Sequence, residues 1–131
     1  MKCPPLVGIR HVALRVRNLP IMRDFYTAVL GFSIEWEPDN KNVYLTSGTD
    51  NLALHETDGA GADPGDGRLD HLGLLVSNPQ DVDAWAAFLK QHGLHLKQEP
   101  KTHRDGARSI YFQDPEENTI QLIYHPPISG K

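Results

Sequence analysis

The chain has 131 residues, of which 39% are hydrophobic and 23% charged, and its formal net charge is −4 at pH 7. This length predicts one compact domain, and the composition excludes a collagen-like or a wholly disordered protein. The acidic balance argues against a nucleic-acid partner, which usually requires a basic stripe. No apolar run approaches the ~20 residues of a membrane helix, and no signal-peptide pattern is found, so we expect a cytoplasmic protein with no membrane partner.

Two segments of the chain repeat at an offset of 60 residues, so that His11 aligns with His71. Residues 8–20 (GIRHVALRVRNLP) and 68–80 (RLDHLGLLVSNPQ) both alternate apolar and polar side chains before an asparagine and a turn. Such alternation predicts a half-buried strand in each segment.

A helix is predicted after each of these strands. Apolar side chains recur at helical spacing in residues 21–31 and 80–93, and a glycine ends each stretch. Three short extended segments follow each helix, at 32–38, 42–48 and 51–57 in the first half and at 94–100, 108–114 and 118–126 in the second. The period is therefore one β-α-β-β-β unit used twice. We place module one at about residues 8–57, a Gly/Asp/Pro-rich linker at 58–67 and module two at about residues 68–125.

This duplicated pattern resembles the vicinal oxygen chelate (VOC) superfamily, which includes glyoxalase I, fosfomycin-resistance proteins, bleomycin-binding proteins and extradiol dioxygenases. The resemblance covers almost the whole chain, about residues 8–125. It implies an α+β fold in which two βαβββ modules form a cupped mixed sheet, within a single domain over residues 1–131. It also implies a homodimer, because members of the family usually pair. The superfamily spans several chemistries, so the resemblance is more specific for fold than for function.

In that family, metal ligands project from the first and last strands of each module. By resemblance, His11 and His71 take the first-strand positions, and Gln121 takes a last-strand position at which the family usually has glutamate. The fourth position is Ala53, which cannot bind metal. The implied cofactor is a divalent ion such as Fe, Mn, Zn or Ni, and the set has the outline of a two-histidine facial site with open positions for substrate. The chain contains seven histidines but a single cysteine, Cys3, so zinc sites made of four thiolates are excluded.

Gln121 has a predictable effect on such a site. A carboxylate would cancel one charge of the cation, whereas an amide oxygen offers only a dipole, so metal binding should be weaker. The alternative is that His11 and His71 are ordinary strand residues, hydrogen-bonded within a metal-free pocket.

Residues 103–122 (HRDGARSIYFQDPEENTIQL) resemble the signature of extradiol dioxygenases. By that resemblance, His103 would be the catalytic acid or base and Tyr111 would orient the substrate. Histidine suits proton transfer because its ordinary pKa lies near physiological pH. Glu117 departs from the family, which usually has glycine or proline in this turn. The alternatives are an exposed loop residue for His103 and strand packing for Tyr111.

Strand alternation predicts further side chains that contact a small-molecule substrate. They share strand faces with the candidate ligand positions: Arg15, His55, Ile123 and His125. Arg15 would pair with a substrate carboxylate or phosphate. His55 would serve as a displaced fourth ligand only if its strand bulges.

Three functions remain open at this point. We favour a metal-dependent enzyme of the lyase or dioxygenase kind that acts on a small organic substrate. A glyoxalase-type isomerase needs a base beside the metal, and neither Ala53 nor Gln121 can accept a proton. A metal-free protein that binds a small molecule, as bleomycin-resistance proteins do, is favoured by the missing carboxylate and disfavoured by the two histidines.

Overall fold

The computed structural model of the protein describes residues 7–58, 69 and 71–129. Cys3 and the predicted linker apart from Asp58 lie outside the described residues. The chain divides into two compact units, Met1–Gly61 and Ala62–Lys131. Each unit contains helix and one four-stranded mixed sheet. The predicted α+β class and the two βαβββ modules are confirmed.

Module one has β1 (His11–Val16), α1 (Leu19–Asp24), a π-helical segment (Phe25–Val29), β2 (Ser33–Asp39), β3 (Asn42–Thr46) and β4 (Asn51–Glu56). The strand order is β1-β4-β3-β2, with β1 parallel to β4 and the other pairs antiparallel. The backbone N–H of Leu19, at the start of α1, donates to Glu56 Oε2 at 2.8 Å. Because Glu56 ends β4, this bond ties the first turn of the helix to the sheet.

The helix of module one begins earlier than its apolar spacing predicts, and its last turn has π-helical geometry. The side chain of Asn18 accepts from the backbone of Ile21 at 3.1 Å and so caps the first turn. The last turn is π-helical, with the N–H of Leu30 donating to the carbonyl of Phe25 at 3.2 Å. Gly31 follows at φ +78°, and its left-handed backbone ends the helix at the predicted glycine.

Module two has β5 (Leu72–Leu75), α2 (Pro79–Gln91), β6 (Gln98–Thr102), β7 (Arg108–Gln113) and β8 (Thr119–Tyr124), in the sheet order β5-β8-β7-β6. The strand predicted at 94–100 begins later, at Gln98. The N–H of Leu94 still donates to Leu89 of α2 at 3.0 Å, so the chain there is closing the helix. Bonding to β7 starts at Lys97, whose N–H donates to the carbonyl of Tyr111 at 2.7 Å.

In each module the apolar core lies on one face of the sheet. In module two it includes Val82, Leu89, Ile110, Phe112, Ile120 and Leu122, and α2 packs on β6, β7 and β8. Because successive strand side chains point to opposite faces, Gln121 and Ile123 lie on the face away from this core. Among the described residues, no helix combines the length and the apolar character that crossing a membrane requires.

Candidate functional site

In module one, His11 is held by a chain of two hydrogen bonds. Its Nδ1 lies 2.8 Å from Oδ1 of Asn51, and Nδ2 of Asn51 donates to Oε2 of Glu35 at 2.7 Å. An ionised carboxylate only accepts hydrogen bonds, so the amide nitrogen must face Glu35 and the amide oxygen must face the imidazole. In the neutral imidazole of His11, Nδ1 therefore carries the proton and Nε2 keeps its lone pair. Metal-binding histidines usually have this arrangement, in which the other ring nitrogen donates to an oxygen.

The pairing of β2 with β3 is irregular at Glu35. Ile34 pairs with Leu45 and Trp36 with Tyr44, so the register shifts by one residue between the two pairs. Such a bulge leaves two residues opposite one and re-aims their side chains. Glu35 is the extra residue, and its carboxylate reaches Asn51 two strands away.

A second chain of the same kind holds His55. Its Nδ1 lies 2.6 Å from Oδ1 of Asn42, whose Nδ2 donates to Oδ1 of Asp39 at 2.9 Å and to Oδ2 at 3.2 Å. Hydrogen bonds from the backbone of Lys41 and the side chain of Asn42 hold the pKa of Asp39 below its ordinary value, so this carboxylate is ionised at neutral pH. In the neutral imidazole of His55, the same reasoning places the proton on Nδ1 and leaves Nε2 as an acceptor.

The two oriented histidines of module one are far apart. β1 and β4 pair in parallel with His11 opposite Asn51 and Arg15 opposite His55. Four residues along a strand span about 13 Å, whereas metal–ligand bonds are about 2 Å long. His55 therefore does not complete a metal site around His11, and its other predicted role, contact with substrate, stays a prediction.

Between the two histidines, the sheet face carries aromatic side chains. Tyr44 is opposite Ala53 on the neighbouring strand. Its ring meets the ring of His55 edge to face at 5.7 Å and stacks on Trp36 at 5.2 Å. Trp36 is 59% exposed. Flat, partly exposed rings of this kind suit contact with a planar ligand.

In module two, the structure brings His71, Tyr111 and Gln121 together. Gln121 of β8 pairs with Gly73 on one side and with Tyr111 on the other. His71 lies two residues before Gly73, and its ring meets the ring of Tyr111 edge to face with centroids 5.5 Å apart. The two predicted ligands, His71 and Gln121, thus share one face of this sheet with Tyr111, the predicted orienting residue.

A cavity of about 550 Å³ opens beside these residues. Four predicted residues line it, namely His103, Gln121, Ile123 and His125. His103 is not a free loop residue, because its Nε2 lies 2.9 Å from the hydroxyl of Ser109, which is fully buried. Its backbone N–H also donates to the carbonyl of Ala107 at 2.7 Å. The imidazole is therefore held at the cavity from both its ring and its backbone.

The predicted ligands have donor atoms that suit a divalent ion, namely imidazole nitrogens and an amide oxygen. Within residues 7–58, 69 and 71–129, no three His, Cys, Asp or Glu side chains form a group that could hold a metal. The third residue of the predicted set, Gln121, is an amide and so does not belong to these four residue types. The predicted set of His11, His71 and Gln121 therefore stays a prediction, and its donor chemistry fits the ion.

Sequence reasoning missed the residues that orient the histidines: Glu35, Asp39, Asn42, Asn51 and Ser109. Each is a polar residue in or beside a predicted extended segment. Its partner depends on which residues of two strands lie opposite each other, and alternation within one strand does not reveal this. No signal in the single sequence distinguishes these side chains from ordinary solvated strand residues.

Comparisons with known proteins agree with this fold. The sequence profile described as the Glyoxalase/Bleomycin resistance protein/Dioxygenase superfamily matches residues 8–122. An integron cassette protein from the mobile metagenome of the Halifax Harbour sewage outfall is 22% identical, with a TM-score of 0.77 over 92% of this chain and 100% of that one. Lactoylglutathione lyase from Agrobacterium tumefaciens is 20% identical, with a TM-score of 0.78 over 95% of this chain and 98% of that one. A fosfomycin resistance protein from Listeria monocytogenes is 19% identical, with a TM-score of 0.74 over 92% of this chain and 93% of that one. At these identities the likeness establishes the fold alone.

Proposed function

Because the chain belongs to the glyoxalase/bleomycin resistance protein/dioxygenase superfamily, we propose that it is a metal-dependent enzyme acting on a small organic substrate. In this role His11, His71 and Gln121 bind a divalent cation such as Fe²⁺, Mn²⁺, Zn²⁺ or Ni²⁺. When bound, such an ion polarises a substrate oxygen as a Lewis acid. The reaction is of the lyase or dioxygenase kind.

The observation that carries this proposal is the hydrogen bond between His11 and Asn51. His11 is exposed, so water could satisfy its ring nitrogens and burial does not require a protein partner. The hydrogen bond that His11 donates to Asn51, itself held by Glu35, instead selects one tautomer and one ring orientation. That selection is what a ligand histidine needs, because only the nitrogen with a lone pair can bind a cation.

The residues of module two supply the remaining roles. His71 and Gln121 lie on the same sheet face, and the neutral amide makes the site weaker than one with a carboxylate. His103 transfers a proton to or from the substrate through the ring nitrogen that Ser109 does not hold. Tyr111, packed edge to face on His71, orients the substrate.

Elemental analysis of protein purified without chelators tests this proposal. We expect the wild-type chain to retain a transition metal, and a variant with both His11→Ala and His71→Ala to lose it. The Asn42→Ala variant is the matched control, because it releases His55 and leaves the proposed ligands intact. Metal-free wild-type protein from cells grown with added iron, manganese, zinc and nickel would contradict the proposal.

A second candidate function is metal-free binding of a small aromatic molecule. The stacked rings of Trp36 and Tyr44 favour it, since Trp36 is largely exposed and Tyr44 meets the ring of His55 edge to face. In that case, chelator-treated protein would bind a planar aromatic ligand as tightly as untreated protein. Fluorescence quenching that is lost in Trp36→Leu and kept in Trp85→Leu would locate the ligand on this face.

A further inference from the structure

The cavity of module two is lined by basic side chains, although the protein as a whole is acidic. It is about 550 Å³ in volume and is lined by Lys101, His103 and Arg104 on one side and by His125 near the end of β8. Among the described residues, Asp105 is the only acidic one that lines it, although the whole chain has a net charge of −4. The cavity therefore concentrates positive charge on an acidic molecule, which raises the local concentration of anions.

Lys101 and Arg104, the two cations at this cavity, have no carboxylate partner among the described residues. Elsewhere in the described chain, Arg23, Lys41, Lys90 and Arg108 each form an ion pair. Asp105 does not neutralise Arg104, since it forms no ion pair within the part of the chain that the structure describes and its Oδ1 accepts from the backbone of Ala107 at 2.9 Å. Lys101 and Arg104 therefore keep their hydrogen-bond donors available to a ligand.

The turn that carries Arg104 is well defined. The N–H of Gly106 donates to the carbonyl of His103 at 3.0 Å, and Gly106 has φ +89°, which the turn requires of it. The side chain of His103 is anchored on Ser109. The backbone of His125 is also held, because its N–H donates to the hydroxyl of Ser129 at 2.8 Å. The donors that face the cavity thus stand on constrained backbone, which lowers the entropy lost when they bind a ligand.

We propose that this cavity binds the anionic group of a small organic substrate, a carboxylate or a phosphate, through Lys101 and Arg104. An arginine fork matches the paired oxygens of either group, and a lysine adds a compact charge. The imidazoles of His103 and His125 add N–H donors. Ile123 gives the cavity an apolar wall, so the substrate has an apolar body next to its anion.

This inference rests on the proposed function, because it names the substrate class of the same enzyme. Gln121, a proposed metal ligand, lines the same cavity. A substrate held by its anion at Lys101 and Arg104 would therefore extend its body toward the proposed metal-binding face.

Binding of three small probes tests the inference in chelator-treated protein, where no result depends on metal. Benzoate represents a carboxylate, phenyl phosphate represents a phosphate, and benzamide is the uncharged control. We expect at least one anion to bind, with an affinity at least about tenfold above that of benzamide, because hydrogen bonds to a charged group are stronger than those to a neutral one. Which anion binds better identifies the group.

Variants locate the binding. Lys101→Gln and Arg104→Gln should each weaken anion binding by about tenfold, and benzamide binding should not change. Lys97→Gln removes the same charge from an exposed lysine of module two that does not line the cavity, and it should bind as the wild type does. The inference is overturned if neither anion is preferred, if the two cavity variants bind normally, or if Lys97→Gln weakens binding equally. Failure of the proposed function would give a different result: the wild-type protein would bind the anion but would not bind a divalent metal.

Discussion

Asn51 lies opposite His11 in the parallel pair of β1 and β4, and its amide oxygen is 2.8 Å from Nδ1 of the imidazole. Glu35 holds the other end of the same amide. The relationship recurs within the module, where Asn42 holds His55 and is itself held by Asp39. An asparagine anchored by a carboxylate thus sets the tautomer of both strand histidines, and in the neutral form of each imidazole Nε2 is an acceptor.

Loss of the Asn51 side chain should weaken metal binding without removing a ligand. In Asn51→Ala, His11 can adopt either tautomer and rotate, and we expect the affinity for Mn²⁺ to fall by about 10–100-fold, as for other partners of ligand histidines. Calorimetric titration measures the affinity. Asn42→Ala is the matched control, because it removes the same contact from His55 and should bind Mn²⁺ as the wild type does. Equal affinities for Asn51→Ala and wild type would show that the relationship has no part in metal binding.

Replacement of Gln121, the proposed neutral ligand, by a charged residue should have the opposite effect. Gln121→Glu adds a formal negative charge at the proposed metal site, and we expect Mn²⁺ to bind at least about tenfold more tightly. Gln113→Glu makes the same change on the neighbouring strand, β7, and should leave the affinity unchanged. A folded Gln121→Glu variant with no gain in affinity would argue against Gln121 as a ligand.

The turn between β7 and β8 contains a strained residue. Glu117 has φ +66°, in the left-handed region that favours glycine. Glu117→Gly should therefore raise the free energy of unfolding by about 0.5–1 kcal/mol, because relief of strain outweighs the greater freedom of glycine in the unfolded chain. Urea unfolding measures the change. Glu117→Ala keeps the Cβ atom and should give no gain in stability. An equal gain in both variants would show that the gain comes from loss of the carboxylate side chain and not from relief of backbone strain.

Acid should weaken the bond between β4 and α1. The backbone N–H of Leu19 and, secondarily, the side chain of Lys41 lower the pKa of Glu56 below its ordinary value of 4.5. A carboxyl with a lowered folded pKa contributes stability that is fully present above its unfolded pKa and is lost as pH falls through the folded pKa. Glu56→Gln should therefore be less stable than wild type at pH 7, and the difference should shrink below about pH 4.5. Urea unfolding at several pH values measures it, and a difference that stays constant would contradict the assignment.

Much of the fold could be predicted from local pattern. The aligned histidines, the alternation of the strands and the helix-ending glycines Gly31 and Gly93 all depend on neighbours in the chain, and the structure has both glycines at positive φ. The late start of β6 was not predictable, because Leu94 bonds back to α2 before the strand can pair.

The candidate site was only partly predictable, for a related reason. Strand alternation placed Ile123 and His125 with Gln121, and the three line one cavity. It could not find Asn51 or Glu35, since their contacts depend on the register of β1 against β4 and on the bulge in β2. Register and bulges arise from pairing between distant segments, and a single sequence does not specify them locally.

The most direct test of the central claim is titration of chelator-treated protein with Mn²⁺, followed by electron paramagnetic resonance of the free ion. The wild-type chain should bind one ion, and His11→Ala and His71→Ala should each weaken binding by at least about tenfold, because each removes a ligand. His55→Ala removes an equally oriented histidine that lies about 13 Å along the sheet and should bind as the wild type does. A wild-type chain that binds no Mn²⁺, or binding that is the same in all four proteins, would contradict a metal site built from the two aligned histidines.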